Sequence, residues 1–187
     1  MRKKRVTVKK TRGRKNQQLL LDQSFKIKKI FGGSLLKKSH AKIARPISTK
    51  EAMHIVLRSS LAKGKYSMLE KNRARRIKET IEAQAKRFQI QIYEFANVGN
   101  HIHLLVKAYH RDLFKGFLRA IAGLIARIAL GVERGKAKAL KFWDQRPFTR
   151  IVSWKKDFER VKDYVVQNFD EALGFTPFKP RKHRSTA

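Results

Sequence analysis

The feature that most constrains the fold is the order of hydrophobic periodicities between residues 48 and 174. A period of two residues, typical of strands, and a spacing of three or four, typical of helices, follow one another as strand, helix, strand, strand, helix, strand, helix. The first six elements match the split β-α-β order of ferredoxin-like domains. We therefore predict an α+β domain over 48–174, a ferredoxin-like antiparallel sheet with packed helices and a further C-terminal helix.

The first strand and the first helix illustrate the two periods. Met53, Ile55 and Leu57 alternate with three residues of the opposite face in segment 52–60, which predicts a half-buried strand. Segment 70–88 places apolar residues at helical spacing, with its charges on the other side. Each element is therefore expected to turn one face toward a common core.

Turn residues and a helix end divide the remaining elements. Asn97, Gly99 and Asn100 supply turn chemistry for a hairpin or bulge between two strands within 88–109. The next helix has one continuous apolar stripe, and Gly131 is placed to end it. A fourth strand and a third helix are predicted after a basic loop.

The charge of the chain predicts a polyanionic partner. It has 46 Lys and Arg against 14 Asp and Glu, a formal net charge of +32, and the first 50 residues hold 17 of these cations and one acid, Asp22. Residues 1–47 are therefore predicted to be a basic, largely flexible arm and connector, and 175–187 a second basic tail. The expected nucleic-acid contacts are Arg2, Lys3, Lys4, Arg5, Lys9, Lys10, Arg12, Arg14 and Lys15 in the arm, with Arg146 and Arg150 in the domain.

Composition narrows both the partner and the available chemistry. No apolar run approaches the roughly 18 residues of a membrane span, and no apolar signal segment follows the basic start. Nucleic acid is therefore favoured over a membrane surface, and a cytoplasmic, nucleoid-associated protein is expected. The absence of cysteine leaves His, carboxylate, amide and hydroxyl groups for chemistry.

Segment 97–106, NVGNHIHLLV, puts two histidines into a run that otherwise has the composition of a buried strand. Side chains two residues apart project from the same face of a strand, so His101 and His103 are expected to point together and could hold one ion. A His-x-His pair alone is more often incidental or hydrogen-bonded than metal-binding. A metal site therefore needs groups from another element.

The last predicted helix offers such groups. On an ideal helix Tyr164 and Asn168 lie about 40° apart beside the apolar stripe, whereas Gln167 falls about 60° to the other side. A tyrosine here is ordinarily a packing residue, and both amides are ordinarily solvated or capping groups. Two histidines and an amide oxygen would nevertheless suit Mg²⁺ or Mn²⁺, and a nearby tyrosine could attack a phosphate bound there.

These motifs together resemble a known family. GNHIHLLV is similar to the His-hydrophobic-His motif of HUH endonucleases, and FWDQRPFTRIVSWKKDFERVKDYVVQN resembles the end of single-tyrosine (Y1) transposases of the IS200/IS605 group. Within that group the chain most resembles REP-associated tyrosine transposases, over roughly residues 45–172. The resemblance implies a metal-dependent DNA endonuclease and strand transferase that acts on single-stranded or hairpin DNA through a 5′-phosphotyrosine intermediate.

Carried over residue by residue, the resemblance makes His101 and His103 metal ligands and Tyr164 the nucleophile. It also implies that Asn168, four residues after the tyrosine, is the third ligand for Mg²⁺ or Mn²⁺. The order of amides in YVVQN is the reverse of the more familiar family pattern, so Gln167 stays open as the alternative ligand.

Several other residues have competing interpretations. His54 and His110 are expected to be structural or to contact phosphate. Three tyrosines compete for the role of nucleophile but do not lie on a helix after the last strand: Tyr66, Tyr93 and Tyr109. Three aromatic residues are expected either to stack with bases or to pack in the core: Phe142, Trp143 and Phe148.

Two other functional classes remain open. The chain could be a non-catalytic, domesticated nucleic-acid-binding protein with the same fold, or an RNA- or ribosome-associated basic protein in which the histidine pair is incidental. Formation of a covalent DNA adduct separates the enzyme from the first class, and metal-dependent strand cleavage argues against the second. The sequence is compatible with a monomer and with a homodimer.

Overall fold

The computed structural model describes residues 31–32, 44–132 and 140–178, and within them five antiparallel strands form one sheet with three helices. The sheet order is β1-β5-β2-β4-β3, with β2 and β4 in the interior, which confirms the predicted α+β fold. The strands are β1 (Phe31–Gly32), β2 (Ala52–Arg58), β3 (Ile90–Asn97), β4 (His101–Ala108) and β5 (Phe148–Val152). The helices are α1 (Lys71–Arg87), α2 (Arg111–Leu130) and α3 (Lys156–Leu173).

The sheet is covered on both faces, which corrects the prediction of a half-buried first strand. Six of the seven residues of β2 are buried, and Arg58 alone is exposed. Met53, Ile55 and Leu57 enter the larger core as predicted. His54 on the other face is 7% exposed, because α3 packs over it. The alternation of residue types along β2 gives no information about α3, which begins about 100 residues later in the chain.

Helices α1 and α2 pack on the first face of the sheet and form the larger core. Ile77, Ile81 and Ala85 are the buried stripe of α1, which begins where the carboxylate of Glu70 accepts backbone N–H groups of the first turn. Buried residues of α2 follow the predicted stripe, and the helix ends at Gly131 with a φ of +62°. Each fully buried large apolar side chain contributes about 1.5–3 kcal/mol relative to exposure.

The turn between β3 and β4 is built by the residues that predict it. Gly99 has a φ of +86°, and its N–H donates to Oδ1 of Asn97 over 3.1 Å. The Asn97 amide also donates to the carbonyl of Met68 over 2.7 Å, and Ser59 N–H donates to the carbonyl of Asn100 over 2.8 Å. The turn is thus tied at two points to the connection between β2 and α1, and this fixes the start of β4.

Helix α3 covers the second face of the sheet with a smaller core. Val161 and Val165 of the helix pack against Ala52, Leu105 and Val152 of three strands. These apolar contacts hold the helix against the sheet. Residues of α3 that flank Val161 and Val165 are therefore held near the strand residues on the second face of the sheet.

Strand β1 lies within the segment predicted to be an arm and connector. Phe31 and Gly32 pair with Arg150 and Thr149 at the edge of the sheet. The guanidinium of Arg45 donates to the carbonyl of Gly32 over 3.3 Å and to Oγ1 of Thr149 over 2.7 Å. A two-residue strand held by a distant arginine has no periodicity of its own in the sequence.

No helix in the described part of the chain is long and apolar enough to cross a membrane. The cations predicted to contact nucleic acid between positions 2 and 15 lie outside the described residues.

We predict opposite effects on stability for a substitution by alanine at two glycines of α2. A Cβ at Gly116 would lie 2.6 Å from Cε1 of Phe88, whereas nothing lies within 4 Å of a Cβ at Gly123. We expect Gly116→Ala to lower the free energy of unfolding by about 1–3 kcal/mol through overpacking. Gly123→Ala should raise it by about 0.5–1 kcal/mol through helix propensity. Urea unfolding followed by circular dichroism measures both; shifts of the same sign would show that Phe88 does not require a glycine at 116.

Candidate active site

Strand β4 turns its two histidines toward α3. Ile102 and Leu104 fill the opposite core, so His101 and His103 share the second face, as the spacing predicts. Their ring centroids are 4.8 Å apart, with the ring planes at 79°. His103 is 3% exposed and lies opposite Val56 of β2, whereas His101 is half-buried at the start of the strand. One histidine is therefore interior and the other lies near the rim.

A third histidine, His54 of β2, lies against this pair. Its Nε2 is 3.1 Å from Nδ1 of His103, and the two rings are stacked with centroids 5.3 Å apart. Burial, and then the positive charge of Arg150, lower the pKa of His54 to about 4. His54 is therefore neutral at pH 7, and it can either donate a hydrogen bond from Nε2 to His103 or accept one there.

A neighbouring amide orients His101. Its Nδ1 lies 2.5 Å from Oδ1 of Asn100. Because an amide oxygen only accepts, the proton of the His101 ring is on Nδ1, and Nε2 is its basic nitrogen. Both histidines thus use Nδ1 for contacts with protein groups, and this is the arrangement of histidines that bind an ion through Nε2.

Helix α3 brings Tyr164 to the histidines. Its ring meets that of His103 edge-on, with centroids 5.4 Å apart and an interplanar angle of 88°. A similar edge contact joins Tyr164 to His54 at 6.1 Å. Tyr164 is half-buried because it flanks the stripe of Val161 and Val165. The structure therefore places the predicted nucleophile beside the predicted ligands.

Asn168 and Gln167 differ sharply in their surroundings. Asn168 is 4% exposed, and its amide nitrogen donates to the backbone carbonyl of Tyr164 one turn earlier. Gln167 is exposed, and its amide nitrogen donates to Glu171 over 2.8 Å. Asn168 thus lies on the buried flank of α3 with Tyr164, and its Oδ1 is the amide atom suited to a hard cation.

A cavity of about 790 Å³ contains the three histidines and the tyrosine. Three arginines, Arg58, Arg150 and Arg160, line it with one acid, Asp157. Arg150 donates to Asp157 over 2.5 Å, and Arg58 forms an ion pair with Asp144 over 3.8 Å. The guanidinium group of Arg160 therefore leaves the cavity positive. A cavity of this charge attracts phosphate groups. The remaining lining residues are Val56, Asn100, Phe148 and Val161.

Sequence reasoning missed part of this site. It named Arg150, which lines the cavity, and Arg146, which is exposed in the loop before β5. It did not name Arg58 or Arg160. Arg160 lies one helical turn before Tyr164, so its spacing could have revealed it. Arg58 of β2 lies opposite His101 of the neighbouring strand β4, and the sequence alone does not reveal the register of these two strands.

The aromatic residues suggested for base stacking have mostly structural roles. Phe142 is 4% exposed within the larger core. Trp143 packs against the same core, and its indole N–H donates to the carbonyl of Ala122 over 2.8 Å. Phe148 lines the cavity and stacks on Phe31 with centroids 5.9 Å apart. Core packing therefore accounts for the first two.

The donor atoms of the site fit a divalent cation only if an amide takes part. In the described ranges no group of three or more His, Cys, Asp or Glu side chains could hold a metal ion. Asn168 is not among the residues that line the cavity of the two histidines. The Nε2 atoms of these histidines and the Oδ1 of Asn168 are donors of the types that Mg²⁺ or Mn²⁺ accepts, with other positions left for water or phosphate oxygen. The hydrogen bonds of Asn100, His54 and the Tyr164 carbonyl orient these three groups.

The chain is similar to transposases in sequence and in structure. No curated protein matches it. The structure of a REP-associated tyrosine transposase bound to a REP hairpin aligns with a TM-score of 0.55 over 73% of this chain and 76% of that chain, at 15% identity. A transposase candidate from Deinococcus radiodurans aligns with a TM-score of 0.44 over 70% of this chain and 97% of that chain, at 14% identity. The family model of IS200-like transposases matches residues 47–168, and the chain therefore belongs to this family.

Proposed function

We propose that the protein is a divalent-metal-dependent endonuclease and strand transferase of single-stranded DNA, with Tyr164 as its nucleophile. The observation that carries the proposal is the edge-on contact of Tyr164 with His103, at 5.4 Å between ring centroids, in the wall of a cavity lined by arginines. Membership of the IS200-like transposases supports DNA as the substrate. A nucleophile beside ion ligands and phosphate-binding groups has the parts that phosphoryl transfer needs.

Each polar group of the site then has a role. Nε2 of His101, Nε2 of His103 and Oδ1 of Asn168 would hold Mg²⁺ or Mn²⁺. When bound, such an ion supplies charge that polarises a phosphate oxygen. Arg160 would bind a phosphate next to the one attacked, because it lines the cavity and is not the partner of Asp157. Arg58 also lines the cavity and would bind a second phosphate with the donors that its ion pair with Asp144 does not use.

The reaction is an exchange of two phosphate ester bonds. A bond forms between the phenolic oxygen of Tyr164 and phosphorus, the bond from phosphorus to the 3′ oxygen breaks, and the phenolic proton ends on that oxygen. The products are a 5′-phosphotyrosine and a free 3′-OH. A 3′-OH that attacks the phosphotyrosine reverses the step and joins strands, so no nucleotide hydrolysis is needed. The sequence has no Walker-type phosphate loop, which agrees with this scheme.

The DNA partner follows from family and charge. One structural neighbour is bound to a REP hairpin, and we propose that this chain also takes hairpin or single-stranded DNA. The basic arm 1–47 and tail 175–187 would hold the phosphates outside a catalytic domain at 48–174, because these segments concentrate cations. The protein would act at the nucleoid in the cytoplasm, as a monomer or a homodimer.

The first prediction concerns the nucleophile. Wild-type protein incubated with Mn²⁺ or Mg²⁺ and a library of DNA hairpins should form a detergent-resistant adduct, and Tyr164→Phe should form none. The adduct should carry a label from the 3′ end of the DNA, because the tyrosine holds the 5′ phosphate, whereas a 5′ label should leave as a free fragment.

The matched control is Tyr66→Phe, which removes the same hydroxyl from a short 3₁₀ helix, Gly64–Tyr66, outside the cavity, and it should keep the adduct. Adduct that persists in Tyr164→Phe would identify a different nucleophile. DNA binding by the wild type without any adduct would favour the non-catalytic alternative.

The second prediction concerns the third ligand. Asn168→Ala should weaken Mn²⁺ binding roughly tenfold or more, measured by electron paramagnetic resonance of free Mn²⁺. Asn168→Asp should retain binding, since it keeps an oxygen at the same position. Gln167→Ala should bind as the wild type does, because Gln167 is exposed and bonded to Glu171. Loss of Mn²⁺ binding in Gln167→Ala but not in Asn168→Ala would identify Gln167 as the third ligand.

The third prediction concerns the proton between His54 and His103. If Nε2 of His103 binds the ion, its Nδ1 carries the proton and donates to Nε2 of His54. Long-range ¹H–¹⁵N correlation spectra of the metal-free protein should show this tautomer. His54→Leu should remove the preference and weaken Mn²⁺ binding roughly tenfold. The exposed His110→Leu is the control, and a proton found on Nε2 of His103 in the wild type would contradict the assignment.

A further inference from the structure

A cluster of aromatic side chains lies at the end of the sheet away from the cavity, and the proposed reaction does not use it. We define the aromatic platform as four aromatic residues, Tyr93, Tyr109, Trp154 and Phe158, together with Lys107, which lies over two of their rings. Trp154 is 39% exposed and Tyr109 is 53% exposed. Nζ of Lys107 lies 5.2 Å from the ring centroid of Trp154 and 5.5 Å from that of Tyr109. One ammonium group therefore bridges two rings that water still reaches.

Hydrogen bonds fix the exposed rings. The indole N–H of Trp154 donates to the carbonyl of Lys50 over 2.9 Å. The hydroxyls of Tyr109 and Tyr93 both donate to Oε1 of Gln91, over 3.0 and 3.2 Å. A ligand that stacks on these rings would thus meet surfaces that are already oriented and would lose little side-chain entropy.

Further rings support the platform from below. Phe158 of α3 lies 5.0 Å from Trp154 and 5.1 Å from Tyr93, and Tyr93 lies 5.7 Å from Trp154, all between centroids. The register of β3 shifts between Ile92 and Glu94, so Tyr93 is the extra residue of a bulge. A bulge redirects a side chain, and here it places the Tyr93 ring against the base of α3.

The surroundings of the platform are basic. Lys50 and Lys155 are exposed beside Trp154, and Nζ of Lys107 lies 3.4 Å from the carbonyl of Lys50. Lys155 has a φ of +71°, a conformation rare for residues other than glycine. The chain therefore turns sharply at Lys155, between the exposed tryptophan and α3. The nearby acid Glu51 accepts a hydrogen bond from Ser153 over 3.2 Å.

Strand β4 connects the platform to the cavity. Alternate residues of a strand share one face, so Lys107 follows His101, His103 and Leu105 on the face that α3 covers. The distance along the strand from His103 to Lys107 is about 13 Å. A flexible strand of nucleic acid that enters the cavity is therefore able to reach the platform within a few nucleotides.

We propose that the aromatic platform binds unpaired bases of the DNA strand on which the cavity acts, an inference that rests on the proposed function. Bases stack on the faces of Trp154 and Tyr109, and Lys50, Lys107 and Lys155 contact their phosphates. An acidic peptide or an anionic lipid would satisfy the lysines but would leave the ring faces without a flat partner. Paired bases are already stacked and offer no such face, so duplex DNA does not fit.

The test measures DNA binding in the full-length Tyr164→Phe protein, which we expect to bind DNA without cleaving it. Fluorescence anisotropy at fixed salt gives the affinity for a labelled single strand, for the same length of abasic strand and for a duplex. Trp154→Ala and Tyr109→Ala should each weaken single-strand binding roughly 5-fold to 100-fold and change binding of the abasic strand less than twofold. Trp154→Phe, which keeps a ring, should recover part of the loss.

The matched control is Leu173→Ala, which removes a large apolar side chain that is 44% exposed at the end of α3, outside the cavity and outside the basic tail. It should leave single-strand affinity unchanged. An optical readout is independent of affinity: in a Trp143→Phe background Trp154 is the sole tryptophan, and its emission should be quenched by normal but not by abasic DNA.

Four results would overturn the proposal. The first two are equal effects of Trp154→Ala and Leu173→Ala, and equal affinity for normal and abasic strands. The other two are tighter and equally Trp154-dependent binding of RNA, and a comparable loss of binding to phosphatidylglycerol vesicles in Trp154→Ala. Failure of the catalytic proposal gives a different pattern. The wild type then forms no adduct, while the base-dependent effects at Trp154 and Tyr109 persist.

Discussion

The packing of α3 across the second face of the sheet is the interaction on which the candidate site depends. Val161 and Val165 pack against Ala52, Leu105 and Val152, and these contacts hold the helix against the strands. This contact buries His54 and His103, and it brings Tyr164 within 5.4 Å of the second of them, between ring centroids. A larger residue in this small core would separate the tyrosine from both histidines without touching either.

Burial and neighbouring charges determine which groups inside the cavity are neutral and which are positive. His54 lies so deep, and so near Arg150, that it remains neutral, and a neutral imidazole can accept a hydrogen bond from the Nδ1–H of His103. A charged His54 would add a positive charge where a cation is expected to bind. Asp157 neutralises Arg150 and Asp144 pairs with Arg58, whereas Arg160 keeps the cavity attractive to phosphate. The same cavity therefore accommodates a cation at its histidines and anions at its arginines.

The sequence predicted elements better than it predicted their mutual arrangement. Period-two and helical patterns located β2, both strands of the hairpin and all three helices, and Asn97 and Gly99 marked the turn that the structure contains. Those signals are local. Burial of the second face of β2 and the contact between His54 and His103 depend on register and on a helix distant in the chain. Strand β1 depends on Arg45, whose role has no local signature.

The aromatic residues show the same limit at the level of function. The sequence left base stacking and core packing open for Phe142, Trp143 and Phe148, and the structure places the first two in or against the core. Trp154 and Tyr109 belong to different segments, and only folding brings their rings to either side of Lys107. Lys107 in turn shares a strand face with His101 and His103. The start of one face of β4 thus carries the histidines that are suited to bind an ion. The end of the same face carries Lys107, whose ammonium group lies near two aromatic rings, and α3 packs on the face between these two sites.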